Sequence, residues 1–337
     1  MKSPITGKEM SINRENRTLV YRKEEFPIVY HYYLCQDSGE QFTSTELDEI
    51  NMQQIYNQYL DNHNLPFPDE IFEIRERYGL SATKMSEILG FGINSYRNYE
   101  NGEVPNLSNG KLIQLIKDPK KFRDLVEMSD ALNEDAKEKL LRKVDQLIDE
   151  EEDNLFSFEL VDYLFSTNGK LPNEFSGYRK PNFRKLTEMV VFFSDKLNPW
   201  KTQMNKLMFY ADFLMFKRNC FSMSGLTYRA INMGPVPNNY NSIYEYIANN
   251  AHIEIILHDF GGEAFHPKEG RSFNPDVFSK NELTVLQHVA NTFKKVATSK
   301  VSTKPIIAIS HKEPAWIANE KDKNLISYRY AFELSEV

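Results

Sequence analysis

The sequence predicts a mainly α-helical chain with small β elements: a β-rich N-terminus, then an all-α helical bundle, then an α+β C-terminal domain. Three observations predict it. The stretches 18–21 and 28–34 are rich in β-branched and aromatic residues. Apolar residues between 69 and 147 recur at three- and four-residue intervals. From Lys180 onward, two strong helical stripes are followed by short strand-like stretches at 224–230 and 252–258. A chain of 337 residues that is 41% hydrophobic has room for two or three separately cored domains. The divisions expected are 1–65, 66–129, an acidic helical linker at 130–179, and 180–337.

Cys35 and Cys220 are the only cysteines, which excludes a disulfide framework and an all-cysteine metal site. A reducing, cytoplasmic location is expected. The N-terminus lacks the apolar core of a signal peptide, and the apolar runs 189–193 and 207–216 are short or broken by Asp212. No membrane association is expected. The net charge is −7, with 41 basic against 48 acidic side chains, but it is unevenly spread. Residues 130–179 hold 6 basic and 13 acidic groups, 66–129 hold 9 and 10, and 180–337 hold 20 and 15. A near-neutral 66–129 leaves little phosphate neutralisation, so any DNA affinity there must come from base contacts or dimerisation.

The first forty residues read as short β pieces between two turns, Ser3-Pro4-Ile5-Thr6-Gly7 and Asp37-Ser38-Gly39. With Cys35, these turns keep the skeleton of the paired knuckles of a zinc ribbon, C-P-x-C-G and C-x-x-C-G-E, with three of four cysteines replaced by Ser3, Thr6 and Ser38. Hydroxyls are poor zinc ligands. The expectation is a zinc-ribbon-like fold without metal, held by an aromatic cluster that includes Tyr21, Phe26, Tyr30, Tyr32 and Phe42; a β-hairpin of no metal ancestry predicts the same chemistry. A helix over 45–59 follows, ended by Pro66 and Pro68.

Residues 80–102 have helix-turn-helix spacing. Ser81 is an N-cap, Leu80 can staple onto Met85, and Met85, Ile88 and Leu89 form a buried stripe that Gly90 stops. After the turn Gly90-Phe91-Gly92, a second short helix turns Ile93, Tyr96 and Tyr99 inward and Asn94, Ser95, Arg97, Asn98 and Asn101 outward. Amides and a guanidinium are the groups that read adenine and guanine edges in a major groove. Asn94, Arg97 and Asn98 are therefore candidate base readers, with Ser95 and Asn101 for phosphates; an ordinary helical hairpin with a polar face is the other reading. A helix over 69–78 closed by Gly79 precedes this pair, a helix capped by Ser108 follows, and Asp118-Pro119 opens another.

Residues 1–128 resemble the MqsA family of antitoxins, on the ribbon skeleton and on Gly90-Phe91-Gly92-Ile93-Asn94-Ser95-Tyr96-Arg97-Asn98-Tyr99-Glu100-Asn101-Gly102. The resemblance implies an N-terminal zinc ribbon joined to a helix-turn-helix that binds the double-stranded operator of its own operon as a homodimer. It implies a base contact for Asn94, and a second at a position occupied here by Asn98, with Arg97 one residue earlier. The chain departs from the family at the zinc cysteines, so no metal or cofactor is expected.

Asn133 can cap a linker helix carrying Ala136, Leu140, Val144 and Leu147 and ending in the acidic run 149–153. Beyond Lys180, one stripe joins Phe183, Leu186, Val190 and Phe193, and another joins Met204, Leu207, Met208, Ala211, Leu214 and Met215. Residues 224–230 read as a strand and 232–237 as a rigid turn before an aromatic helix at 240–247. Residues 252–258 alternate as a strand, with Ile253, Ile255 and Leu257 on one face and His252, Glu254 and His258 on the other, a solvated face or a metal site. Ser279 and Glu282 form a capping box.

Four motifs then carry a second resemblance. They are Asn205-Lys206-Leu207-Met208-Phe209-Tyr210-Ala211-Asp212-Phe213, Gly225-Leu226-Thr227-Tyr228-Arg229-Ala230, Gly234-Pro235-Val236-Pro237 and Ser310-His311-Lys312-Glu313-Pro314-Ala315-Trp316. In this order, over roughly 180–320, they resemble the Panacea, or SocA-like, domain. That family implies an antitoxin that neutralises a cognate toxin protein by direct binding, and in one branch an adaptor that delivers a toxin to a protease. Tyr228, Arg229 and Tyr240 are the candidate toxin contacts, because aromatics and arginine anchor interfaces.

No nucleophile elbow, phosphate-cradling glycine loop or H-E-x-x-H helix occurs, so no enzyme is expected. Lys206, Tyr210 and Asp212 do not share one helix face; Tyr210, Asp212, Tyr228 and His311 read better as buried ties between helices and strands. The function expected is a type II antitoxin that represses its own operon. The alternatives are a prophage-type transcriptional regulator with a ligand-sensing C-terminal domain, and a proteolytic adaptor.

Overall fold

Strands β1 (Ser11–Tyr21) and β2 (Glu24–Leu34) pair antiparallel in one unbroken register, from Ser11 opposite Leu34 to Tyr21 opposite Glu24. The computed structural model that shows this describes residues 1–153, 172–258, 261–298 and 302–337. Two short strands were the expectation, and a single hairpin of two 11-residue strands is the finding. Its turn is Arg22-Lys23, both left-handed at φ 48° and 70°, the backbone of a two-residue primed turn without the usual Asn-Gly signal. A short β3 (Gln41–Phe42) completes the order β1-β2-β3.

The exposed edge of β2 is sealed by side chains of α1 (Thr45–Asn62). The Asn51 amide accepts from the His31 N–H at 2.8 Å and donates to the His31 carbonyl at 2.9 Å. Gln54 does the same for Val29, both at 2.9 Å. Two amides thus stand in for a neighbouring strand. Of the expected aromatic cluster, Phe26 and Tyr32 are buried, while Arg17 lies 3.9 Å above the Tyr30 ring.

By contacts the chain parts at residue 55, inside α1. Residues 1–55 group with the described residues after 171, and residues 56–153 form the second unit.

The second unit is helical: α2 (Pro68–Tyr78), α3 (Ala82–Ile88), α4 (Ser95–Glu100), α5 (Leu107–Leu115), α6 (Pro119–Met128) and α7 (Glu134–Asp153). Ile71, Ile74, Tyr78, Met85, Tyr96, Ile113, Ile116, Phe122 and Val126 make its core. Caps set its joints: Ser81 accepts from the Lys84 N–H at 3.1 Å, Asp118 from Lys120 at 2.8 Å, and Asn133 from Ala136 at 2.9 Å. The cap of α5 is Asn106 and not Ser108, and Leu115 near the other end of the helix is exposed. Helix α7 carries Leu140 and Val144 into this core, and Asp145 meets Arg123 at 2.8 Å. The stretch Glu134–Asp153 of the expected linker is therefore a structural helix of the bundle, whereas residues 172–179 are turns that group with the C-terminal body. Residues 154–171 of that linker lie outside the described residues.

The C-terminal body is arranged around α9 (Lys201–Asn219), preceded by α8 (Phe183–Leu197). Every residue of α9 from Gln203 to Phe216 is buried, so this helix is enclosed on all sides. Against it lie the hairpin β4 (Tyr228–Ile231) and β5 (Gly234–Pro237), α10 (Tyr240–Asn249), α11 (Lys280–Phe293), α12 (Lys304–Ser310), α13 (Pro314–Ile317) and a 3₁₀ turn at Tyr328–Glu333. Gly234–Pro237, expected as a turn, is a strand paired with β4; its two prolines sit on a two-stranded sheet where no ladder partner is lost. The turn is the two residues Asn232-Met233. A second hairpin joins β6 (Ile253–Leu257) to β7 (Glu263–Pro267). Ser279 and Glu282 form the expected capping box on α11.

Candidate nucleic-acid interface and partner-binding region

Helix α4 is pinned from beneath so that its outer face stays free. Tyr96 is fully buried, and its hydroxyl donates to the Ile71 carbonyl at 2.8 Å while its N–H donates to Ser86 Oγ at 3.1 Å. The Tyr99 hydroxyl accepts from Asn109 at 2.9 Å. Arg75 reaches Glu100 at 2.5 Å and the Leu80 carbonyl at 2.8 Å, tying the end of α4 to α2 and to the start of α3. Burial drives the Tyr96 phenol far above its ordinary range, so it stays a neutral donor.

Asn94, Arg97, Asn98 and Asn101 are exposed and Ser95 is half-buried. Asn94 precedes the helix without capping it, which leaves its amide uncommitted. Ile93 differs from expectation: it is 62% exposed, because residues 92–94 stay in the turn, and Phe91 packs on the core in its place. An exposed isoleucine beside Asn94 adds an apolar group suited to a thymine methyl. Helical periodicity hid it by extending the helix one turn too early.

At the N-terminus, the positions equivalent to ribbon ligands do converge. Ser3 Oγ donates to Cys35 Sγ at 3.2 Å, Thr6 Oγ1 lies 3.7 Å from the same sulfur, and the knuckle turns close through Gly7 N–H to Ser3 O at 2.9 Å and Gly39 N–H to Cys35 O at 2.8 Å. The surrounding hydroxyls of Ser3, Ser38 and Thr6 pull the Cys35 thiol down to about 6. One sulfur and three hydroxyls hold the turns where a ribbon uses a metal.

In the C-terminal body the buried polar residues of α9 each meet a partner. Asp212 accepts from the N–H groups of Met223 and Ser224 at 2.8 Å each, from the Tyr228 hydroxyl at 2.7 Å and from Ser224 Oγ at 2.5 Å. Burial still raises its carboxyl. Lys206 is wholly buried, donates to the Pro235 carbonyl at 2.8 Å and is held down to about 7 by desolvation. A side chain on Gly234 would strike Lys206 and Ser310 at 2.6–2.9 Å, so glycine there permits this approach. Asn205 accepts from the Tyr244 hydroxyl at 2.8 Å, and the Tyr210 hydroxyl meets Glu313 at 3.2 Å. His311 stacks on Trp316 with ring centres 3.8 Å apart, and its Nε2 is buried without a partner among the described residues.

Tyr228, expected as an exposed contact, is fully buried and bonded to Asp212, so it holds β4 to α9. Arg229 and Tyr240 are half-buried, and Arg229 donates to the Lys323 carbonyl at 2.8 Å. The face of β6 is also dispersed: Glu254 pairs with Lys268 at 2.6 Å, His252 accepts from Arg271 at 3.2 Å, and His258 stacks on Trp200. Among the described residues no three metal-ligating side chains converge, and no helix is long and apolar enough to cross a membrane.

Comparison with protein families finds two matches. Residues 1–128 match the antitoxin component of bacterial toxin–antitoxin systems, MqsA, and residues 204–317 match the antitoxin SocA-like, Panacea domain. The chain joins two stretches, each similar to an antitoxin family. Comparison with curated proteins finds no match. The MqsA-like module carries the thiol–hydroxyl knuckles and the free face of α4. The Panacea-like stretch carries Lys206, Asp212 and Tyr228, which bind its strands to α9, and His311, which stacks on Trp316.

Proposed function

We propose that this chain is a cytoplasmic antitoxin that holds a cognate protein toxin through its Panacea module and represses its own operon through α4. The single observation that carries the reading is that two separate stretches of the chain match two different antitoxin families. The DNA half of the proposal is supported by α4. Asn94, Arg97 and Asn98 present two amides and a guanidinium from one exposed face, over a core that fixes the helix. Ser95 and Asn101 flank that face at the positions suited to phosphates.

Steric masking of the toxin suffices for neutralisation, and no chemistry is required of the buried residues. Arg229 and Tyr240 remain the surface candidates for toxin contact. Co-expression with the gene beside its own tests the toxin half, and binding of the purified chain to its own promoter tests the DNA half. Loss of growth despite co-expression, or equal affinity for promoter and random DNA, contradicts the corresponding half.

A further inference from the structure

The two hairpins of the C-terminal body have four outer edges, and three of them are closed. On β4 the outward groups are taken: the Ala230 N–H donates to the Asn324 carbonyl at 3.1 Å, and the Tyr228 carbonyl accepts from the Ile326 N–H at 2.8 Å. Their row partners on β5 are Pro235 and Pro237, so both outward positions of that strand lack an N–H, and Lys206 binds the Pro235 carbonyl. On β7 the outward Phe265 N–H donates to the Pro199 carbonyl at 2.9 Å. The edge of β6 is open. His258 N–H donates to the Gly262 carbonyl at 3.0 Å and Lys268 N–H to the His252 carbonyl at 3.3 Å, so the even-numbered residues of β6 bond to β7 and the odd-numbered ones turn their N–H and C=O groups outward. Ile253 is buried, which leaves Ile255 and Leu257 within reach. Among the described residues no hydrogen bond takes their outward groups.

The side chains along this edge lack the usual protection against pairing. Strand β6 reads Ile-Glu-Ile-Ile-Leu, with no proline or lysine, and its one charge, Glu254, is held by Lys268 at 2.6 Å within the hairpin. Ile256 is 42% exposed and Leu257 74%. Ile255 and Leu257 share a face with Phe265, which packs on Tyr244 of α10 with ring centres 4.9 Å apart. A strand laid beside β6 would therefore extend an apolar layer that already exists. Lys201 pairs with Glu263, opposite Leu257, and meets Asn241 at 3.1 Å, which sets the start of α10 and the half-buried Tyr240 at the same end of the hairpin. We infer that the open edge of β6 receives an extended segment of the toxin as an added strand, with apolar residues beside Ile255 and Leu257. The inference rests on the toxin half of the proposed function and names the surface it uses; the edge lies within the residues that match an antitoxin family. A second copy of the chain fits less well. Two five-residue strands paired about a two-fold axis bury well short of the about 1,200 Å² that a specific interface needs, whereas a toxin that carries the strand also reaches Tyr240.

Amide hydrogen exchange of the full chain, alone and with the product of the gene beside its own, tests it. In the free chain the Glu254 and Ile256 amides are expected to exchange slowly and those of Ile255 and Leu257 fast; in the complex all four are expected to be slow, the mark of an added strand. Leu257→Pro removes an outward donor at an exposed position and leaves the bonds to β7 intact, so it is expected to weaken toxin binding by about tenfold or more with an unchanged melting temperature. Leu257→Lys leaves the backbone whole and is expected to weaken binding in the same way, so the result does not depend on how the proline variant folds. A wild type that neither binds the neighbouring product nor rescues growth overturns the toxin reading and this inference with it. A wild type that rescues growth while Ile255 and Leu257 exchange as in the free chain, or while both Leu257 variants bind as tightly as it does, keeps the toxin reading and overturns the inference. A chain that dimerises alone and loses that dimer with Leu257→Pro gives the edge to a second copy and also overturns it.

Discussion

Asn94, Arg97 and Asn98 project from α4 while Tyr96 and Tyr99 hold the helix down, so truncating the outer three separates reading from folding. Each alanine substitution is expected to weaken promoter binding by about 1–3 kcal/mol, roughly fivefold to 150-fold, with no change in melting temperature. Fluorescence anisotropy at fixed salt measures it; equal losses on random DNA would show phosphate contacts instead. Ile93→Ala is expected to lose affinity at one base pair only, if a thymine methyl faces it. Tyr228 is the opposite case. Tyr228→Phe removes a hydroxyl from the Asp212 carboxylate and is expected to cost about 1.5–3 kcal/mol in denaturant titration, while toxin binding by the folded fraction stays unchanged. Lys206 gives a signature in pH. Its folded amine is held down to about 7 against 10.5 in the unfolded chain, so between those values the unfolded state binds more protons and stability rises with pH. Below about 7 both states are protonated and this slope vanishes. Lys206→Met is expected to lose that rise, which parallel denaturant titrations near pH 7 and pH 10 would reveal; an identical slope in both proteins would contradict it.

At the scale of elements, what the sequence made legible was local. Ser81, Asp118, Asn133 and the Ser279–Glu282 box each cap the helix they were expected to cap, because a cap is decided by a side chain and an N–H two or three residues away. The free face of α4 was legible for the same reason. What escaped was decided by distant partners. The hairpin of β1 and β2 runs twice as far as its β-branched stretches because Arg22 and Lys23 accept left-handed backbone that their side chains do not advertise. Gly234–Pro237 is a strand because Ala230 and Tyr228 lie opposite its prolines, and Tyr228 is buried because Asp212 waits on α9. Helix α7 looked like a linker by charge, yet Leu140 and Val144 belong to the bundle. Val144→Asp, with no residue of α4 altered, is therefore expected to melt the bundle and abolish promoter binding. A Val144→Asp protein that kept the wild-type melting transition would show that α7 is dispensable.

At the scale of the whole molecule, the chain folds as two units, and the MqsA-like match spans both of them. The ribbon groups with the C-terminal body: the His31 ring meets Phe332 edge-on at 4.7 Å, and Cys220 reaches the Ile50 carbonyl at 3.6 Å. Its knuckles are held by Cys35 and hydroxyls, so the ultraviolet absorbance of thiolate is expected to titrate near pH 6 in the folded protein and to disappear in Cys35→Ser. The central claim is that DNA reading and toxin neutralisation belong to separate parts of one chain. Growth of cells expressing the gene beside its own, together with the Asn94→Ala, Arg97→Ala, Asn98→Ala variant, tests it most directly. The account predicts full rescue of growth by a protein that no longer binds its promoter; cells that stop growing with either the wild type or this variant would contradict it.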